Sequence, residues 1–277
     1  MTILLRLVLT FCLVCASGAS LASDARDAIE FNRSFEQGAV IIGRVFPGTK
    51  VVFDEKNLPI SPEGYFVLGL DRDEPATAEL QVDWVNGGEE VLSFPVKQRE
   101  YQIQKIEGVP KATVNPNPKQ IKRSRQEAQL VWQAREHISD LQDYRSQFQW
   151  PLVGRITGVY GSQRFYNGEP RRPHYGIDIA RPKGTQVQAP AGGIVRLVHP
   201  DMFFSGGTLI IDHGQGLSST FIHLSKILVE QGQRVMAGDA IAEVGASGRA
   251  TGPHLDWRMN WYNKRVDPTT LVGPMPE

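Results

Sequence analysis

The chain has 277 residues, of which 41% are hydrophobic and 22% are charged, so it can bury a sizeable core and is expected to fold. Thirty lysines and arginines balance thirty aspartates and glutamates, and this even balance gives no electrostatic basis for binding nucleic acid or another polyanion. The length accommodates one large domain or two of moderate size.

The first 22 residues are typical of a secretory signal peptide. Arg6 is their only charge, the apolar run over 7–15 is too short to span a bilayer, and small residues precede a cleavage point after Ala22. The alternative is an N-terminal membrane anchor. We expect an exported protein, periplasmic or extracellular, with no integral membrane span in the mature chain. Both cysteines, Cys12 and Cys15, lie in this segment, so the mature chain would form neither disulfides nor thiolate metal sites.

Residues 23–108 are expected to form a β-sandwich-like domain. Short runs of β-branched and aromatic residues recur between turn residues, at 39–42, 51–53, 65–68, 80–84 and 91–94. About six strands at this spacing predict a small antiparallel sandwich. The segment has no cluster of ligand or acid–base residues, which favours a spacer or a protein-binding module.

Residues 109–149 are interpreted as a proline-rich linker followed by a helix. The linker ends at Pro118, and the composition from Lys119 to Phe148 is typical of a helix that Trp150 and Pro151 would end. Residues at three- and four-residue steps form a narrow apolar stripe on this helix: Val131, Ala134, Ile138 and Leu141.

Residues 150–277 are rich in glycine, turns and β-branched residues. Strands are predicted at 154–160, 192–198, 208–212, 219–223, 240–244 and 254–260. The prediction for the whole chain is therefore mostly β: a sandwich-like N-terminal domain, a connecting helix and a C-terminal antiparallel β domain of about 120 residues by size.

Three segments of this last region combine histidine with apolar neighbours: HYGID at 174–178, FIHLS at 221–225 and GPHLDW at 252–257. Alternate residues of a strand share a face, so His174 would point the same way as Asp178, and His254 the same way as Asp256. Imidazole and carboxylate groups are zinc ligands, so the segments predict a zinc site with catalytic helpers. His223 is the third histidine of the set.

The remaining histidines of the mature chain, at 137, 199 and 213, are interpreted as surface or structural residues. A His-Glu-x-x-His helix is absent from the sequence, so the general base would have to be a histidine.

These segments stand in the same order as the motifs of a known family, together with GVYGSQR at 158–164, APAGGIV at 189–195 and GASG at 245–248. On these motifs, the chain from Trp150 to Leu271 resembles the M23 family of zinc metallopeptidases, the lysostaphin- and LytM-type peptidoglycan endopeptidases. The resemblance implies zinc ligation by His174 and Asp178, and catalytic roles for His223 and His254.

Asp256 stands where the family has a histidine as its third zinc ligand. An aspartate can ligate zinc, but a second carboxylate would weaken the metal as a Lewis acid. Arg258, two residues further on, could offset the added charge or could hold Asp256 in an ion pair away from the metal.

Two functions follow. The first is an exported zinc metalloendopeptidase that hydrolyses the peptide cross-links of peptidoglycan, with zinc held by His174, Asp178 and Asp256. The alternative is a catalytically degenerate LytM-like module that binds wall peptide or activates another wall hydrolase. The resemblance therefore implies peptidoglycan peptide as the main partner, and a wall hydrolase or a protein of the division machinery as a further one.

Overall fold

The computed structural model describes residues 29–106 and 116–277. The predicted signal peptide, both cysteines and most of the proline-rich linker lie outside these residues. Among the described residues, none of the helices is long and apolar enough to cross a membrane.

The N-terminal region consists of eight strands: β1 (Glu30–Phe31), β2 (Val40–Arg44), β3 (Lys50–Phe53), β4 (Lys56–Asn57), β5 (Tyr65–Gly69), β6 (Thr77–Asp83), β7 (Glu89–Pro95) and β8 (Ile103–Ile106). They form a β1-β2-β5 sheet and a β4-β3-β6-β7 sheet, while β8 pairs in parallel with a later strand. The alternation of apolar and polar residues explains the burial pattern of β6, where Ala78, Leu80 and Val82 are buried and their neighbours face outward. Phe31 and Phe94, from different sheets, meet edge to face at 5.2 Å. The predicted sandwich-like arrangement is confirmed.

A single α-helix, α1 (Pro118–Glu136), follows in the described part of the chain. Asn117 and Gln120 form a capping box at its start, and Pro118 occupies the first turn. The prediction of a helix continuing to Phe148 is wrong. The backbone becomes extended at His137, and the next residues bond elsewhere, as Ser139 O does with Gln215 N at 3.0 Å.

The helix packs through only half of its predicted apolar stripe. Val131 and Ala134 contact a small buried cluster made of Leu197, Met202 and Ile210. The other two members of the stripe lie beyond the end of α1, so they cannot belong to its apolar face.

The C-terminal region comprises thirteen strands: β9 (Arg155–Gly158), β10 (Gln163–Tyr166), β11 (Glu169–Pro170), β12 (Ile177–Ala180), β13 (Gln186–Gln188), β14 (Gly193–Met202), β15 (Gly206–Gly214), β16 (Leu217–Leu224), β17 (Lys226–Ile227), β18 (Arg234–Val235), β19 (Ala240–Glu243), β20 (His254–Trp261) and β21 (Lys264–Val266). Its centre is an antiparallel sheet in the order β18-β14-β15-β16-β20-β12-β9, with β21 beside β20. Short 3-10 helices lie at Asp143–Arg145 and Pro268–Thr270. The predicted antiparallel β domain is confirmed.

The N- and C-terminal regions share one hydrophobic core. Phe53 lies 5.7 Å from Trp261 between ring centroids, and Arg99 forms a 2.8 Å salt bridge with the buried Asp267. At Gly69 a Cβ atom would lie 2.6 Å from the Cβ of Trp261, so this contact requires glycine. The central sheet is therefore supported by the N-terminal strands.

Candidate metal and catalytic site

Two neighbouring strands of the central sheet bring the two candidate aspartates together. Asp178 on β12 pairs directly with Asp256 on β20, and Ile222 on β16 pairs with Asp256 from the other side. Directly paired residues project from the same face of a sheet. Both aspartates are buried, so they form a pair of carboxylates inside the fold.

His174 reaches the same place from a loop. The strand predicted to include it begins only at Ile177, because the backbone around His174 instead bonds to the 161–162 turn, with His174 N donating to Ser162 O at 2.9 Å. Its Nε2 nevertheless lies 3.2 Å from Asp178 Oδ1. Gly176 permits this approach, since a Cβ there would lie 2.3 Å from Asp256 Oδ1.

These three side chains fit a metal ion with nitrogen and oxygen ligands. Each of His174, Asp178 and Asp256 offers a ligand atom, and the three atoms lie within 4.8 Å of one another. His174 Nδ1 is buried without a hydrogen-bond partner, and His174 Nε2 and Asp178 Oδ1 are buried with only each other within hydrogen-bond distance, at 3.2 Å. Such orphaned buried atoms are costly unless something binds them, and one imidazole with two carboxylates is a donor set that zinc accepts.

Each carboxylate is also held by an arginine. Arg258 binds Asp256 through Nε to Oδ1 at 2.9 Å and through Nη2 to Oδ2 at 2.5 Å, and Arg164 Nη2 donates to Asp178 Oδ2 at 2.9 Å. Burial raises the pKa of Asp256, but the paired Arg258 outweighs it and holds the pKa below the usual value. For Asp178, burial and the charge of Asp256 raise the pKa, but His174 and Arg164 lower it by more, so the net change is a decrease. Both groups are therefore carboxylates at neutral pH.

The two candidate catalytic histidines lie beside each other next to this cluster. The rings of His223 and His254 are 4.9 Å apart between centroids, and His254 Nε2 is 3.8 Å from Asp178 Oδ1. His223 Nδ1 bonds the carbonyl oxygen of Ser247 at 2.8 Å, and His254 Nδ1 bonds that of Gly252 at 2.9 Å. A carbonyl can only accept, so Nδ1 carries the proton in both rings and Nε2 is left as a proton acceptor.

His223 has two further properties of a specialised residue. Its φ of +65° lies in the left-handed region, which is unfavourable for a residue other than glycine. Burial and the neighbouring His254 lower its pKa to about 4, although Asp256 opposes the shift. The imidazole is therefore neutral at pH 7.

The structure adds residues that the sequence did not indicate. Arg164 lies in the 158–164 motif but was given no role, and Ser247 acts through its main chain, for which no side-chain pattern exists. Arg135, on α1, donates to Thr220 Oγ1 at 3.0 Å on the face of the sheet. Arg135 is distant in sequence from the ligands, so local spacing could not reveal its contact, whereas Arg164 and Ser247 lie in motifs close in sequence to the candidate site histidines.

A cavity of about 660 Å³ lies between the sheet and α1, and its lining includes Arg258, the residue that binds Asp256. Thr220, Ile222 and Arg258 line it from the sheet, and Val131 and Trp132 line it from the helix. The helix thus forms one wall of a groove beside the candidate ligands.

Comparison with known proteins identifies this arrangement. The model of peptidase family M23 matches residues 172–268, which include all five candidate site residues. Among solved structures, the chain is similar to a putative M23 peptidase from Pseudomonas aeruginosa, with 30% sequence identity, 87% of this chain and 96% of that chain covered, and a TM-score of 0.68.

Curated relatives match over the C-terminal region. The peptidoglycan DD-endopeptidase ShyA of Vibrio cholerae is 39% identical over 124 residues, or 44% of this chain and 28% of that protein. ShyB of the same organism is 42% identical over 97 residues, or 34% of this chain and 22% of that protein. The chain thus spans less than a third of the length of these relatives. The family model, the fold and these relatives agree, and the chain belongs to peptidase family M23.

Proposed function

We propose that the protein is an exported zinc metalloendopeptidase that hydrolyses peptide cross-links of peptidoglycan. The observation that carries the proposal is the buried cluster of His174, Asp178 and Asp256, whose ligand atoms lie within 4.8 Å of one another. The names of the Vibrio cholerae relatives, peptidoglycan DD-endopeptidases, support the substrate class. The signal-peptide pattern of residues 1–22 supports export.

In this proposal His174, Asp178 and Asp256 hold the ion. When bound, zinc acts as a Lewis acid toward the scissile carbonyl and increases the acidity of water. A carboxylate oxygen has two lone pairs, so Asp256 can donate to zinc while it accepts from Arg258. Arg258 offsets the charge of Asp256, as Arg164 offsets that of Asp178, so the second carboxylate adds no net charge to the site.

The two histidines carry the proton transfers. His223 and His254 keep their Nδ1 protons on main-chain carbonyls, which leaves each Nε2 directed away from the hydrogen bond and able to accept a proton from the attacking water. Once protonated, the same nitrogen donates a hydrogen bond to the developing oxyanion or gives its proton to the leaving amine.

The arginine contacts favour a second candidate function. Both carboxylates accept hydrogen bonds from guanidinium groups, Asp178 from Arg164 and Asp256 from Arg258. These guanidinium groups can neutralise the carboxylates when no metal ion is bound. The protein would then be a LytM-like module that binds wall peptide or activates another wall hydrolase without cleaving anything itself.

Metal analysis and digestion of purified peptidoglycan separate the two functions. The mature protein should contain close to one zinc per chain. It should also cleave the cross-linking peptides of peptidoglycan, and mass spectrometry should identify the released products. Chelation should stop the release. His199→Ala is the matched control, because His199 lies on β14 outside the cluster. A protein that takes up no zinc and leaves peptidoglycan intact would refute the first function and favour the second.

A further inference from the structure

Five arginines line the cavity between α1 and the central sheet, and three of them come from α1 and the sheet itself. Arg135 comes from the last turn of α1, Arg258 from β20 and Arg265 from β21, and all three line the cavity. Arg135 is only 7% exposed. Burial lowers the pKa of Arg135, and the positive charges of Arg265 and Arg258 lower it further.

The protein supplies one carboxylate for these three cations. Arg258 has Asp256 as its partner. In the described part of the chain, Arg135 bonds only Thr220 Oγ1 and its buried Nε has no partner, while Arg265 donates to Asn260 Oδ1 at 3.1 Å. Neither of these two arginines forms a salt bridge with any described carboxylate.

The acidic residues on the cavity wall bond elsewhere. Glu127 pairs with Arg123 and accepts from Phe203 N at 2.8 Å. Asp73 pairs with Arg72, and the third acidic residue of the wall, Asp71, accepts through Oδ1 from Asp73 N at 2.8 Å. The cavity therefore has a shortage of negative charge that its own walls do not supply.

A guanidinium does not lose its proton under ordinary conditions, so the imbalance has to be met by an anion or by water. Buried charge without a partner is among the most unfavourable features of a folded protein. We propose that this cavity binds a free carboxylate of the peptide substrate, with Arg135 and Arg265 as its ligands.

The position and shape of the cavity favour a peptide. Its volume of about 660 Å³ is that of a site for a small ligand, and Ile222 and Trp132 offer apolar surface for short side chains. The planar fork of arginine matches the two oxygens of a carboxylate. The cavity adjoins Asp256 through Arg258, so a peptide anchored there would extend toward the candidate zinc site. The assignment rests on the proposed function, and it adds a carboxylate requirement to it.

Binding in the presence of a chelator tests this assignment apart from hydrolysis. Acetyl-D-alanyl-D-alanine and its C-terminal amide are titrated into the full mature chain by calorimetry, with inorganic phosphate as a third probe. The acid should bind at least about tenfold more tightly than the amide, since hydrogen bonds to charged groups contribute this much. The preference should decrease as salt is added.

Variants show which residues cause the preference for the acid over the amide. Arg135→Gln and Arg265→Gln should each abolish the difference between acid and amide. Arg125→Gln should keep it, because Arg125 is an exposed residue of the same helix. The ligand-free Arg135→Gln protein should also melt at a higher temperature than the wild type, since it lacks a buried charge without a partner. An arginine with a purely structural role would give the opposite shift.

Equal binding of acid and amide, or an unchanged preference in both glutamine variants, would overturn the assignment. Phosphate binding as tight as that of the acid would also overturn it, because the cavity would then be a site for small anions. Absence of zinc or of hydrolysis would refute the proposed function and leave the binding result unaffected.

Discussion

Replacing Arg258 should increase the affinity of the protein for zinc. Arg258 and Asp256 form a bidentate pair whose carboxylate is 2% exposed and whose guanidinium side chain is 24% exposed. Breaking such a buried pair costs about 3–5 kcal/mol, because the remaining charge has no partner. We therefore expect Arg258→Gln to destabilise the metal-free protein by about 3 kcal/mol.

Zinc changes that balance. A bound cation beside Asp256 takes over the neutralisation, so the metal-bound variant should lose less stability than the metal-free one. If half of the loss is recovered, about 1.5 kcal/mol appears as tighter binding, which corresponds to roughly tenfold in Kd. Competition titration against a chromophoric chelator measures the Kd, and thermal unfolding with and without zinc measures the two stabilities.

A double-mutant cycle shows whether the effect passes through the carboxylate. In an Asp256→Asn background, Arg258→Gln should leave the zinc affinity nearly unchanged, because the charge on which the arginine acts is gone. Unchanged or weaker zinc binding in the single variant would refute the reasoning. The same gain in both backgrounds would show that Asp256 does not contribute to the metal site.

The remaining predictions concern the other site residues, the pH dependence and export. His174→Ala should lose zinc, as measured by elemental analysis, whereas His199→Ala should retain it. His223→Ala should retain zinc and lose about 10²–10⁴-fold in turnover of peptidoglycan; loss of the metal instead would contradict its assignment as a proton-transfer residue. Burial lowers the pKa of His213, and it lowers the pKa of His223 to about 4. The unfolded chain therefore binds more protons below the ordinary histidine pKa of about 6.5, so the stability of the metal-free protein should fall as the pH drops toward about 4. His223 should contribute up to about 1.4 kcal/mol per pH unit, and His213 should add a change of the same sign; chemical denaturation across this range measures both. Sequencing of the exported protein should begin at or near Ser23, and a full-length chain that sediments with membranes would contradict this.

Strands with a regular pattern could be predicted from sequence, and their irregular ends could not. The six C-terminal strands predicted from apolar runs all exist, and β20 begins at His254 as expected. By contrast β14 continues beyond the predicted end at 198, through His199 and Pro200, because a shift in register between His199 and Met202 accommodates the proline in the strand. Composition alone could not show this.

The positions of the candidate site residues were likewise predictable on regular strands and not outside them. Strand alternation correctly predicted that Asp256 lies on a strand with His254; this strand is β20, where Asp256 pairs with Asp178. The alternation failed for His174, which approaches from a loop whose path depends on hydrogen bonds to the 161–162 turn. Arg135, which comes from a different element, has no signal in the local sequence, because only the packing of α1 on the sheet brings it near. The periodicity of a single sequence does not encode contacts between distant segments.

The shared core has a consequence for how the protein unfolds. Trp261 at the end of β20 rests on Phe53, and Asp267, just after β21, is neutralised by Arg99. The strand that carries Asp256 is thus anchored at its far end by residues from the first hundred of the chain. Melting of the N-terminal strands and loss of the metal site should accordingly occur as one cooperative transition. A fragment that begins at Trp150 would keep every candidate ligand yet lose the coupling that holds them in register.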